Sequence, residues 1–118
     1  MKYKFGYIPS FAKELKALCK KHKSLKKDFE ALKEEIETNP NIGVSLGDEL
    51  RKIRLNISSK NKGKSGGARV ITHEILVEID CQETMSMAFI SIYDKSEYDT
   101  ADLSVIKEIV KQIREESK

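Results

Sequence analysis

Residues Ser59 to Val70 read SKNKGKSGGARV, with lysines at 60, 62 and 64, glycines at 63, 66 and 67, and an arginine at 69. The element that begins after Gly67 decides the fold. A GKS tripeptide leading into a helix would mark a phosphate loop and a parallel α/β sheet. The full phosphate-loop motif needs a glycine five positions before Gly63, and that position is Ser58. The segment from Ala68 onward, ARVITHEILVEI, is β-branched and alternates, so it predicts a strand over 68–79. The stretch therefore joins two strands, and its GKS is incidental.

Working outward, Leu50, Ile53, Leu55 and Ile57 mark a strand over about 50–57, and MAFISIY marks another over Met87–Tyr93, with DCQETMS as the connection between the last two. Lys52 and Arg54 alternate with Ile53 and Leu55, which turns the two cations away from the core. If 50–57 and 68–79 are antiparallel neighbours, Arg54 comes near Arg69. Stacked cations on one sheet face call for an anion.

The N-terminal half reads differently. KYKFGYI at 2–8 predicts a short strand with Tyr3, Phe5 and Tyr7 on one side, stopped by Pro9. Ser10 then serves as N-cap for a helix over about Phe11–His22. Ser24 caps a second helix, whose Leu25, Phe29, Leu32 and Ile36 make one apolar stripe. Only HKS separates the two helices, so they form a hairpin. NPNIGVSLGDE carries turn chemistry. Asp99 or Thr100 caps a final helix carrying Leu103, Ile106, Val110 and Ile113. The order β-α-α-β-β-β-α predicts one α+β domain over 1–118: a small antiparallel β-sheet packed against an N-terminal helical hairpin and a C-terminal helix.

The net charge of +3 is mild, but no acidic residue lies between Glu49 and Glu74, while Arg51, Lys52, Arg54, Lys60, Lys62, Lys64 and Arg69 all do. A second basic run, KKHKSLKK, covers Lys20–Lys27. Such segregation gives a positive face suited to a polyanion such as RNA. No apolar run approaches a membrane span, and MKYKFGYIPSF lacks the pattern of a secretory signal, so a cytoplasmic location is expected, with Cys19 and Cys81 reduced and buried. His22 and His73 have no nucleophile or metal spacing around them and read as surface and packing residues.

Taken in order, LRKIR, GKSGGARVI and FISIYDKSE resemble the pattern LRKIR…GKGK-GG-R-IYY…L-TIY-K-E of the RelE/ParE superfamily of toxins from type II toxin–antitoxin systems, closest to its RelE/HigB-type branch. The match runs from about Leu50 to Glu97. After RVI this chain has Thr72-His73 where the pattern has aromatic residues, and the nearest cation after the last strand is Lys95. The resemblance implies a ribosome-dependent endoribonuclease that cuts mRNA without metal or other cofactor. It also implies a cognate antitoxin, with which the chain would form a hetero-oligomer. In such enzymes the 2′-hydroxyl attacks the adjacent phosphate, which requires a base, charge stabilisation and an acid. Carried over to this chain, the catalytic set is Arg54, Lys64, Arg69, Tyr93 and Lys95. Arg51, Lys52, Lys60, Lys62 and Tyr98 would hold RNA. Arg69 would stabilise the pentacoordinate phosphate, and Lys62 or Lys64 would be the base. Two other functions share the fold class: a ParE-like, non-catalytic inhibitor of DNA gyrase, and a non-toxic RNA- or protein-binding module.

Overall fold

The computed structural model describes residues 2–39, 41–60, 67–94 and 111, the side chain of Lys60 excepted. Within them the chain is α+β. Strand β1 (Lys2–Tyr7) leads into helices α1 (Pro9–Lys21) and α2 (Leu25–Thr38). Four further strands come next: β2 (Val44–Gly47), β3 (Leu50–Leu55), β4 (Ala68–Ile79) and β5 (Gln82–Asp94). They form one sheet in the order β1-β5-β4-β3-β2. The predicted final helix lies outside the described residues.

The sheet is mixed, which corrects the expectation of an antiparallel one. β1 runs parallel to β5, from Lys2 opposite Thr84 to Tyr7 opposite Phe89. The intervening helices make this possible, because a parallel neighbour needs a long crossover rather than a tight turn. β2 is also an addition, since VSLG lies in the stretch read as turns alone. It pairs antiparallel with β3 through a two-residue turn, Asp48-Glu49, with both residues at positive φ (52° and 65°). The β4–β5 connection is of the same kind. Asp80 and Cys81 have φ of 50° and 63°, and Ile79 lies opposite Gln82. Type I′ geometry suits the twist of a hairpin. Hence β5 starts at Gln82, not Met87, and Cys81 is exposed in the turn while Cys19 is half-buried.

Pro9 opens α1 rather than merely ending β1. It sits at the first helical position, where its missing N–H costs nothing, and Ile8 occupies the N-cap in place of Ser10. Ser24 does precede α2, but its side chain makes no capping bond.

The helices cover one face of the sheet. Phe11, Leu18, Leu25, Phe29, Leu32 and Ile36 pack against Ile53, Leu55, Val70, Met87, Phe89 and Ile92. At the centre Phe89 lies 5.4 Å from Phe11 and 4.9 Å from Phe29, ring centroid to centroid. These rings pack at the offset and edge-on distances aromatic pairs prefer. A smaller cluster, Leu50, Ile71, Ile90 and Tyr93, has its residues at the alternate strand positions. A bulge between Ile71 and Thr72 leaves Ile90 as the extra residue of β5.

Candidate phosphate-binding row

Three of the sequence-predicted site residues fall in one row across three strands. Arg54 of β3 lies directly opposite Arg69 of β4, and Arg69 directly opposite Tyr93 of β5. Direct partners in antiparallel strands stand about 4.5–5.5 Å apart at Cα. Strand alternation fixes the face. Ile53, Leu55 and Val70 point to the helices, so Arg54 and Arg69 point to the other side, with Lys52 and Ile71 forming the next pair along.

The three side chains differ in environment. Arg54 is exposed. Arg69 is 5 % exposed and its Nη1 donates to the Ala68 carbonyl at 3.1 Å. Tyr93 is buried, not half-buried as its strand-end position suggests. Burial pushes the Arg69 guanidinium below its ordinary range, the positive Arg54 beside it pushes the same way, and Tyr93 opposes both. Each of the first two effects disfavours a second positive charge in the row. A bound anion reverses the second and compensates the first. The row thus sets a planar fork bonded to the backbone beside a solvent-facing guanidinium, an arrangement able to bond an oxyanion.

Gly67 shapes the approach to the row. A Cβ there would meet the Leu55 carbonyl oxygen at 2.1 Å, so only glycine lets β4 start this close to β3.

Arg51 does not join the row. It stands at the alternate position, its Nε 3.3 Å from Glu74 Oε1 and its Nη1 donating to the Ile42 carbonyl at 3.4 Å. Lys52 shares the face of Arg54. Lys60 belongs to a 3₁₀ turn, Ser58–Lys60. Lys62, Lys64, Lys95 and Tyr98 lie outside the described residues. Thr72 and His73, which replace the aromatic residues of the resembling pattern, are both buried. His73 is four residues from Arg69, roughly 13 Å along a strand, out of reach of a phosphate held there.

Two features lie outside the sequence-predicted set. His22, at the end of α1, places Nε2 3.1 Å from Oδ2 of Asp94, which is 3 % exposed. A hydrogen-bonded knot joins α2 to the 3₁₀ turn. Asp28 accepts from the Ser24 hydroxyl (2.7 Å), the Ser58 N–H (2.9 Å) and the Ser58 hydroxyl (2.6 Å), and the Ser59 N–H donates to Ser24 Oγ at 2.8 Å. Partial burial would raise the Asp28 carboxyl, but these bonds outweigh it and hold the group below its usual range. The only advance signal was the pairing of Ser24 with Asp28 four residues on; the partner segment is 30 residues away.

Among the described residues no group of three or more His, Cys, Asp or Glu side chains is arranged to hold a metal ion, and no helix is long and apolar enough to cross a membrane. No protein-family model, curated protein or solved structure matches the chain.

Proposed function

We propose that this protein is the toxin of a type II toxin–antitoxin system, with a RelE/ParE-like fold of the RelE/HigB type, and that it cuts mRNA on the ribosome. The observation that carries the reading is the register Arg54–Arg69–Tyr93. Residues drawn from three separate sequence motifs meet in one row, where two arginine side chains stand as direct cross-strand neighbours and Arg54 is open to solvent.

The row suggests the chemistry. A phosphate of the message lies against Arg54 and Arg69. The adjacent 2′-oxygen attacks phosphorus and gives its proton to a base, for which Lys62 and Lys64 are the candidates. Negative charge grows on the equatorial oxygens, where the restrained fork of Arg69 meets it without reorganisation. The bond to the 5′-oxygen breaks, and that oxygen takes a proton from an acid, for which Tyr93 and Lys95 are the candidates. The products are a 2′,3′-cyclic phosphate and a free 5′-hydroxyl. A cognate antitoxin would silence the enzyme by covering the row or by keeping it from the ribosome.

Induced expression in a bacterial host tests the reading. Translation should stop within minutes, translated messages should carry new 5′ ends inside their coding regions, and untranslated transcripts should stay whole. Intact messages together with gyrase trapped on DNA would replace the nuclease reading with the gyrase one.

A further inference from the structure

The proposed reaction uses the row on the sheet and leaves a second cationic feature unexplained. Besides Lys21, four exposed lysines surround the connection between the helices: Lys20 in the last turn of α1, Lys23 in the link, and Lys26 and Lys27 in the first turn of α2. Among the described residues none of the four makes an ion pair. The described carboxylates that meet this turn bond to other groups, Asp28 to Ser24 and Ser58, Asp94 to His22.

Local helix energetics explain only part of the cluster. Lys20 stands where the partial negative charge of a helix C-terminus favours it. Lys26 and Lys27 stand at the positive end of α2, where a cation is unfavourable by about 0.3–1 kcal/mol each. Lysines held against the helix dipole, on a surface where any polar residue would keep the protein soluble, point to a ligand.

The knot of hydrogen bonds identifies which ligand. Through Ser24–Ser59 and Asp28–Ser58, the lysine-bearing turn is fixed to the segment that leaves β3 four residues after Arg54. The lysine-bearing turn thus sits beside the segment that follows β3, on the helix side of the sheet, while Arg54 and Arg69 face the other side, so one RNA strand reaches both by passing around that end of the sheet. We infer that the α1–α2 turn is a second contact for the RNA backbone, with Lys23, Lys26 and Lys27 holding phosphates flanking the one at Arg54 and Arg69. This rests on the reading of the row as an RNA site. Asp28 is then a positioning residue that holds the two contacts in fixed relation.

Salt dependence separates this contact from a merely solubilising surface. Binding of a fluorescent 2′-O-methyl RNA, which has no free 2′-hydroxyl and stays uncut, is followed by anisotropy as potassium chloride is raised. Three lost phosphate contacts reduce the slope of log affinity against log salt by about 2 for a single strand. The triple variant Lys23→Gln, Lys26→Gln, Lys27→Gln should show that loss with its melting temperature raised rather than lowered, since two cations leave the positive end of α2. The corresponding triple arginine variant should keep the wild-type slope. An unchanged slope in the glutamine variant overturns this inference and leaves the row untouched. Equal competition by polyglutamate also overturns it, because the turn would then bind no particular polyanion through its spacing. Failure of every protein, wild type included, to bind the RNA overturns the reading of the row as well.

Discussion

Two like-charged pairs stand directly opposite one another in this sheet. At the tip of the β4–β5 hairpin Glu78 faces Glu83, and at the other end of β4 Arg54 faces Arg69. Both glutamates are exposed, so water and salt screen their repulsion. Arg69 is buried, so its interaction with Arg54 acts through a medium that screens it less. The same contrast runs along the whole of β4. From Ala68 to His73 every residue is buried, including Arg69, Thr72 and His73. From Glu74 onward Ile75, Leu76 and Ile79 are exposed, Leu76 at 53 %. β3 ends its pairing at His73, and past that point no described strand covers the outer edge of β4. Burial and pairing with β3 therefore end together along β4. A polar side chain held in the covered half is a candidate for function, whereas an exposed glutamate pair at the tip is a tolerated surface feature.

The largest expected difference between the two halves is in stability. Ile71→Ala removes a fully buried side chain from the second core cluster and should cost about 2–5 kcal/mol in urea unfolding. Leu76→Ala in the exposed half should stay within about 0.5 kcal/mol of wild type. Equal losses at the two positions would mean that the distal half is covered in solution.

Next in size is the knot that anchors the covered end. Asp28→Asn weakens charge-assisted hydrogen bonds worth about 1–3 kcal/mol to folding at neutral pH. Because the native carboxyl titrates below its unfolded value, its contribution is present above the unfolded pKa and is lost as pH falls through the folded one. The gap between wild type and the variant should therefore close in acid. A gap that stays constant down to strongly acidic pH would assign the loss to packing.

The arginine pair yields a smaller effect of opposite sign. Arg54→Gln relieves a like-charge pair and should stabilise the protein by about 0.2–1 kcal/mol in chloride buffer while lowering cleavage. Inorganic phosphate should stabilise the wild type and abolish that advantage. Glu83→Lys, which turns the glutamate pair at the tip into an ion pair, should gain a few tenths of a kcal/mol at most, with activity unchanged. A larger gain at the tip than at the row would reverse the comparison.

Periodicity carried the helices and most of the strands. The stripe of Leu25, Phe29, Leu32 and Ile36 is the buried face of α2, and the alternation around Ile53 and Leu55 sends Arg54 to the side where it meets Arg69. Those patterns are local, so one sequence displays them. The parallel pairing of β1 with β5 joins residues about 80 positions apart, and nothing in either strand encodes the partner. The two tight turns fall inside the stretches read as NPNIGVSLGDE and DCQETMS, but their two-residue form was illegible for another reason. Asp48-Glu49 and Asp80-Cys81 hold positive φ without the glycine or asparagine that usually announces it. Of the candidate site, the cationic pair was legible through alternation. The burial of Tyr93, the Arg51–Glu74 ion pair and the Asp28 knot were not, because each depends on which strands and turns become neighbours.

The central claim is that Arg69 holds the phosphate at which the message is cut. It is tested most directly with purified protein, ribosomes stalled on an end-labelled message, and primer extension across the decoding site. Wild type should produce a discrete cut that depends on the ribosome. Arg69→Ala, shown by circular dichroism and melting to be folded, should cut about 10²–10³-fold more slowly. A folded Arg69→Ala protein that cuts at the wild-type rate, or a wild type that leaves the message whole, would contradict the account.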